Sequence, residues 1–332
     1  MEFGKSTMES LEITMKSLTN KKILVTGGTG FVGSHLVEAL IKRGAEVITT
    51  YISLDPRSYF MMQCLDKKVT TVPVDITEFD KLFDIVTKLE VDFIFHLAAQ
   101  PLVETAFYNP KRTFESNING TINILEAARL YPRIKGVIFA SSDKAYGKNG
   151  EKKYKETDRL QGDHPYEVSK SAADLIVSSY YKTYKLPVIT TRFGNIYGEG
   201  DLNFSRIIPG ALRSIITKTP LEIRSDGSYV RDYLYVKDVA DGYLMLAEQL
   251  EHVAGEAFNF GSSDTLSVKD LLKEIQTITG IDLDYKVVNI SKNEIPYQSL
   301  EYSKIQKKIK WRPKYDLEKT IPRMLEWYKK IL

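Results

Sequence analysis

The short apolar run 22–26 leads directly into Gly27-Gly28-Thr29-Gly30-Phe31-Val32-Gly33, and an amphipathic stretch follows. Glycines at positions 27, 30 and 33 permit a tight turn, let backbone amides approach a pyrophosphate and let a helix pack closely on a strand. The N-terminus of that helix then faces the anion. A glycine triplet alone is a weak signal, because any tight turn favours glycine. Placed after the first strand and before the first helix, it constrains the fold far more: this chain opens as a βαβ unit built around a dinucleotide-type phosphate loop.

The rest of the chain extends that unit. Strands are predicted at 22–26, 46–51, 69–74, 92–97, 136–141 and 187–193, with helices at 31–43, 78–89, 110–130 and 165–184 between them. This alternation is the pattern of a parallel sheet. After Phe193 it gives way to a segment rich in glycine, arginine and proline up to Arg231, the region where a doubly wound sheet carries its ligand-specific part. A helix at 236–250 and a strand at 257–261 then bring the chain back to the sheet. The fold class is α/β, a Rossmann doubly wound parallel sheet with a smaller, interleaved C-terminal substrate-binding domain. Residues 21–193 and about 233–262 form the dinucleotide-binding domain, 194–232 and 263–332 the second domain, and 1–20 a flexible tail. Phe114, Tyr180 and Tyr181 read as exposed aromatics on two of the helices, a face suited to pairing with a second copy; a homodimer is expected, burial within the monomer being the alternative.

Composition narrows the partners. Lysine and arginine number 46 against 43 acids in 332 residues, a net charge of +3, which leaves no sequence-wide footprint for nucleic acid. The single cysteine, Cys64, excludes an internal disulfide and a thiol pair for zinc. The four histidines stand in no metal-ligand spacing, and no metal is implied. His96, within Phe93-Ile94-Phe95-His96-Leu97, reads as an interior histidine. No apolar run approaches the roughly 18–20 residues of a spanning helix, so no membrane partner and a cytoplasmic location are expected.

Tyr166 and Lys170 stand four apart in Pro165-Tyr166-Glu167-Val168-Ser169-Lys170 and project from one face of the predicted helix. An ammonium beside a phenol favours the phenolate. Lowering a tyrosine from about 10 to neutrality takes roughly 4 kcal/mol of differential stabilisation, which a lysine and a cofactor cation in a drained cleft can supply.

The string Val25-Thr26-Gly27-Gly28-Thr29-Gly30-Phe31-Val32-Gly33-Ser34, with its wider first glycine step, resembles the extended short-chain dehydrogenase/reductase family. The resemblance runs from Lys21 to the C-terminus and thins after Gly261. It implies a dinucleotide held by Gly27, Thr29, Gly30, Phe31, Val32 and Gly33. Asp75 and Ile76 after the third strand resemble the pair that holds adenine, although Asp75 would also serve as a helix cap. Leu97, Ala98, Ala99 and Gln100 after the fourth strand, and Ala140 and Ser141 at the end of the fifth, line the same cleft. The second strand ends without the acid that would select NAD, and Arg57 nearby could face a 2′-phosphate. The stretch around Tyr51, however, looks like that of NAD-using CDP-glucose dehydratases, so NAD is expected and NADP stays open.

In this family the tyrosine takes the proton of a substrate hydroxyl while hydride leaves for the nicotinamide, and the lysine holds the nicotinamide ribose. Tyr166 and Lys170 occupy these places, with Ser142 as the helping hydroxyl or, more simply, a turn former. Asp143 and Lys144 follow it in Ser141-Ser142-Asp143-Lys144-Ala145-Tyr146-Gly147. Sugar epimerases of the family usually have small or apolar residues there, whereas nucleotide-sugar 4,6-dehydratases place an acid and a base. The aspartate–lysine pair is similar to that of CDP-glucose and UDP-N-acetylglucosamine dehydratases. Asp143 would protonate the departing C6 hydroxyl and Lys144 would take the C5 proton, which requires a dry site, a protonated carboxyl and a lowered lysine pKa.

Three later segments resemble those that bind a nucleotide-diphosphate sugar. They carry Asn195, then Arg206 and Pro209, then Arg224 and Arg231; arginine's planar fork suits phosphate oxygens. Asn117 resembles the family's active-site helix asparagine, a backbone hydrogen bond in the core being the alternative. The reading is an NAD-dependent 4,6-dehydratase. Its rivals are a nucleotide-sugar epimerase and, from another class, a dinucleotide-bound sensor or scaffold.

Overall fold

The computed structural model describes residues 18–290 and 295–332. In chain order its strands are β1 (Lys22–Thr26), β2 (Glu46–Tyr51), β3 (Thr70–Pro73), β4 (Phe93–His96), β5 (Gly136–Ala140), β6 (Val188–Phe193), β7 (Asn195–Tyr197), β8 (Leu221–Ile223), β9 (Val230–Tyr235), β10 (Ala257–Phe260), β11 (Thr265–Ser267), β12 (Tyr285–Val287) and β13 (Tyr297–Gln298). Seven of these make one parallel sheet in the order β10-β6-β5-β4-β1-β2-β3. The order reverses between β1 and β4, and ligands bind in the crevice that such a reversal leaves at the carboxyl ends of the strands.

Strand alternation divides the core. Ile23 and Val25 point into one apolar cluster, with Leu36, Val37 and Leu40 of helix Phe31–Lys42 and Val239, Tyr243 and Leu246 of helix Val236–Glu248. Leu24 and Ile94 point into the opposite cluster, under helices Phe79–Lys88, Gly120–Leu130 and Pro165–Tyr184. Both faces are covered, so the strands are apolar on both sides, as a parallel sheet requires.

A second assembly is centred on β9, which pairs with β11 antiparallel and with β13 and β7 in parallel. Helices Ile207–Thr217, Val268–Thr279 and Leu317–Tyr328 pack with it around Tyr233 and Tyr235. The chain passes between the two assemblies at Gly194 and again where β9 runs into helix Val236–Glu248, so both meet at the carboxyl ends of β5 and β6.

Several local expectations change. The tail expected over 1–20 lies outside the described residues up to residue 17, but Leu18 is buried in the first cluster and Asn20 donates its backbone N–H to Gly44 O, so these residues belong to the fold. The single helix expected at 110–130 is Pro110–Phe114 and Gly120–Leu130 joined by a π-helical turn, Glu115–Asn119. Phe114, Tyr180 and Tyr181 are half-buried, and the Tyr180 hydroxyl donates to Glu126 Oε1 at 2.6 Å. The exposed apolar residues of the 120–130 and 165–184 helices are Leu130, Val168, Leu175 and Tyr184. Among the described residues no helix is long and apolar enough to cross a membrane.

Candidate active site

The phosphate loop is built by exclusion of side chains. Gly27 has φ +71°, and a Cβ there would lie 2.9 Å from the Ala98 backbone. A Cβ on Gly33 would stand 2.2 Å from Gly27 O, and one on Gly28 would stand 2.2 Å from Thr49 Oγ1. Only glycine lets the helix begin this close to β1 and β4. Gly30 differs: it is exposed, and its Cβ would meet only Gly27 O at 3.3 Å, so it faces the mouth of the crevice. Helix Phe31–Lys42 begins there without a side-chain cap. Its first amides, from Phe31, Val32 and Gly33, are the donors that a diphosphate needs, and the cradle fits a dinucleotide. Thr29 lies half-buried between the glycines.

At the adenosine end, Tyr51 closes β2 beside Pro73, half-buried. Arg57, the cation that could face a 2′-phosphate, is engaged by Asp55, with its backbone N–H 2.9 Å from Oδ1 and Nη2 3.3 Å from Oδ2. Asp75 accepts from Thr77 N and Oγ1, both at 2.9 Å. It therefore closes the turn after β3 and does not cap the following helix, whose N-cap is Glu78. Ile76 is buried against Gly120, so its side chain supports the turn from within the core and presents no open apolar wall.

The loop after β4 is pinned by Asn117. Its Oδ1 accepts from Gln100 N at 2.7 Å, and its Nδ2 donates to Gln100 O at 3.1 Å and Ser169 Oγ at 2.9 Å. This corrects its expected place among the substrate ligands: both amide hydrogens and the oxygen are engaged inside the protein, tying Leu97, Ala98, Ala99 and Gln100 to the helix that carries Tyr166. The π-helical turn is what brings the amide to that position. Gln100 is likewise spent on Leu102 O and Thr113 Oγ1. His96 is an interior histidine, between Thr26 Oγ1 at 2.8 Å and Thr121 Oγ1 at 3.1 Å, and burial draws it down to about 3.

The proton-handling residues converge at the end of β5. Ser142 caps the 3₁₀ turn Asp143–Tyr146, accepting from Lys144 N at 3.2 Å and donating to Asp143 Oδ1 at 3.1 Å. It also draws the Tyr166 phenol down, against the effect of burial. Asp143 is 5% exposed; burial raises its carboxyl pKa, against the opposing pull of Lys144, Arg231 and Ser142. A carboxyl in that setting can hold a proton.

The tyrosine–lysine relation departs from expectation. Burial pushes the Tyr166 phenol up to about 12, with Ser142 and the charge of Arg206 opposing the rise. Lys170 Nζ instead donates to Ala140 O at 2.9 Å, and burial draws the amine down to about 8. The two side chains share a helix face, and Lys170 is anchored to the carbonyl at the end of β5. Next to Ala140, the Ser141 hydroxyl is buried with no partner.

On the second assembly, Asn195 opens β7 opposite Tyr233 and is half-buried. Arg206 donates from Nη1 to Ile196 O at 3.2 Å and to Asp201 Oδ2 at 3.0 Å, and its charge reaches Tyr166. Arg224 is exposed and touches Ser205 O only at 3.4 Å. Arg231 is buried; it donates to Val230 O at 2.8 Å and Pro296 O at 3.2 Å, and its charge bears on Asp143. Pro209 is buried in the first turn of helix Ile207–Thr217, so it shapes the segment without lining an open pocket. Arg206 and Arg231 thus bear on the β5 end through their charges on Tyr166 and Asp143.

One residue of this centre escaped the sequence. Gln298 of β13 is 2% exposed, donates Nε2 to Asp143 Oδ2 at 3.0 Å and accepts from Lys144 Nζ on Oε1 at 3.2 Å. It stands in register with Arg231 of the adjacent strand β9. A lone glutamine in a two-residue strand carries no motif or period by which to single it out.

Relatives have the same architecture throughout. The chain is 30% identical over 327 residues to a CDP-glucose 4,6-dehydratase of Salmonella typhimurium, spanning 93% of this chain and 90% of that protein. The crystal structure of DesIV, a dTDP-glucose 4,6-dehydratase from Streptomyces venezuelae with NAD and TYD bound, superposes with a TM-score of 0.85 at 26% identity, over 93% of this chain and 97% of that one. A UDP-glucose 4-epimerase from Thermotoga maritima with UDP-glucose gives a TM-score of 0.84 at 30% identity, over 93% and 99%. Phosphate loop, proton-handling cluster and return to the sheet at β10 all fall within residues 23–261, which match one family model over their whole extent, and the chain belongs to the NAD dependent epimerase/dehydratase family.

Proposed function

We propose that this enzyme is a nucleotide-sugar 4,6-dehydratase, acting on a substrate of the CDP-glucose or UDP-N-acetylglucosamine type and releasing a 4-keto-6-deoxy sugar nucleotide. The observation that carries the reading is the Asp143–Lys144 pair at the end of β5, where Asp143 is buried and hydrogen-bonded to Ser142, Lys144 is half-buried, and Ser142 acts in turn on the Tyr166 phenol. Oxidation at C4 alone has no use for a second acid and base.

Bound NAD supplies a hydride acceptor for C4 and a hydride donor for C6. The chain supplies the proton transfers. Tyr166 takes the C4 hydroxyl proton; burial holds its phenol at about 12, so positive charge must be brought against it, and Arg206 is the side chain whose charge already opposes the rise. The C4 ketone acidifies C5. Lys144 removes the C5 proton, and Asp143 protonates the departing C6 hydroxyl, so that water leaves; Lys144 then returns its proton to C5 as C6 is reduced. The cycle leaves Tyr166 protonated and Asp143 ionised, and exchange with solvent restores both.

Asn195, Arg206 and Arg231 are the proposed grip on the diphosphate, and residues 194–232 and 263–332 the proposed substrate-binding domain, except that helix Ser303–Ile309 and Trp311 pack into the first cluster of the sheet. Leu130, Val168, Leu175 and Tyr184 support a proposed homodimer face. The TM-score of 0.84 to a 4-epimerase supports the rival reading.

Incubation with CDP-glucose, UDP-N-acetylglucosamine, GDP-mannose and TDP-glucose is expected to give loss of water from at least one of them by product mass. Lys144→Met is expected to lower dehydration at least about 100-fold while C4 oxidation persists, in line with the usual worth of a general base. A wild-type protein that inverts C4 without losing water, with Lys144→Met equally active, would establish the epimerase instead.

A further inference from the structure

We propose that Gln298 is a positioning residue for the dehydration step, its side-chain amide holding Asp143 and Lys144 in a fixed relation so that one faces C6 while the other faces C5. The inference rests on the dehydratase reading above. Its geometric basis is a bridge: Nε2 donates to Asp143 Oδ2 at 3.0 Å and Oε1 accepts from Lys144 Nζ at 3.2 Å. With Asp143 ionised and Lys144 an ammonium the amide lies this way round, because the reverse would aim two donors at each other. Asp143 Oδ1 is meanwhile taken by Ser142 at 3.1 Å. The carboxyl is therefore gripped on both oxygens from two different assemblies, Ser142 from the β5 end and Gln298 from β13.

Adjacent residues of a chain need such a clamp. Successive side chains on a short turn diverge, and Lys144 has four rotatable bonds beyond its backbone; a flexible ammonium loses geometry that a proton transfer requires. Gln298 is fixed itself. It is 2% exposed, and β13 is locked to β9 with Gln298 in register with Arg231. Arg231, Lys144, Tyr166 and Tyr154 are the charged and titratable groups that bear on Asp143 or feel its charge, and all surround this bridge. The placement also couples substrate to chemistry: the strand pair that presents Arg231 to the diphosphate presents Gln298 to the acid–base pair.

The test is Gln298→Met, which keeps length and volume and removes both hydrogen bonds. Dehydration in single turnover is expected to fall about 10- to 100-fold, while C4 oxidation, followed by reduced-nicotinamide absorbance, stays within about twofold, because Tyr166 and Lys170 are untouched. The pH profile gives a signature that loss of packing would not. Without its donor the Asp143 carboxylate is less stabilised and titrates higher; without its acceptor the Lys144 ammonium is less stabilised and titrates lower. Both limbs of the dehydration profile should move outward, each by about one pH unit for a hydrogen bond to a charged group. Gln298→Asn, which retains the amide on a shorter arm, should recover part of the rate. Equal loss of oxidation and dehydration, or an unshifted profile in a folded Gln298→Met protein, would overturn the proposal. If the wild-type protein dehydrates no nucleotide sugar, the dehydratase reading itself fails, and that outcome is distinct.

Discussion

Lys170 carries the clearest consequence at the scale of a single residue. Its amine donates to Ala140 O and burial draws it down to about 8, whereas a lysine in the unfolded chain titrates near about 10.4. Between those values the unfolded state binds more protons, so stability rises with pH across the window. The penalty for burying the ammonium is fully present below about 8 and is relieved above it, a total of about 3 kcal/mol. Urea denaturation of the wild type and of Lys170→Met should show the wild type gaining on the variant as pH rises from about 8 to about 10; a constant difference would mean that the amine is not desolvated. Much of this residue chemistry is legible in sequence, because Tyr166 and Lys170 recur at helical spacing and Asp143 and Lys144 are neighbours. Gln298 is not legible, since it reaches Lys144 from 154 positions away through a fold that local pattern cannot anticipate. Nor is the direction of Lys170, which depends on the β5 carbonyl that lies within its reach.

Among the elements, helix Pro165–Tyr184 is held to β6 by a buried ion pair, and the site depends on that docking. Arg192 Nε lies 2.8 Å from Asp174 Oδ2 and Nη2 lies 2.9 Å from Oδ1, with both side chains nearly free of solvent. Nη1 also donates to the Tyr146 hydroxyl at 2.7 Å, so one guanidinium joins helix, strand and the turn that bears Asp143 and Lys144. Asp174→Ala leaves that cation buried and unpaired, and is expected to cost about 3–5 kcal/mol in chemical denaturation. Loss of under about 1 kcal/mol would show that water or another group replaces the carboxylate. The helix itself could be read from its amphipathic period, as could the six strands before Phe193. The π-helical turn at Glu115–Asn119 could not, because long-range bonds to Gln100 and Ser169 favour it. Strands β7, β8 and β11 to β13 have two or three residues each, too few for alternation to register.

At the scale of the whole molecule, the sheet delivers the phosphate loop, Tyr166, Lys170, Asp143 and Lys144 to its carboxyl edge, and the β9 assembly closes over that edge with Arg231 and Gln298. The near-balance of charge across 332 residues is compatible with a few arginines set where one diphosphate would lie. In the proposed cycle, hydride removed from C4 is returned to C6 after water has left. This return is tested most directly by turning over a nucleotide sugar deuterated at C4 and locating the label in the product. The expected product is a 4-keto sugar nucleotide short of one water with deuterium at C6; deuterium back at C4 in a product that has lost no water would rule the hydride cycle out.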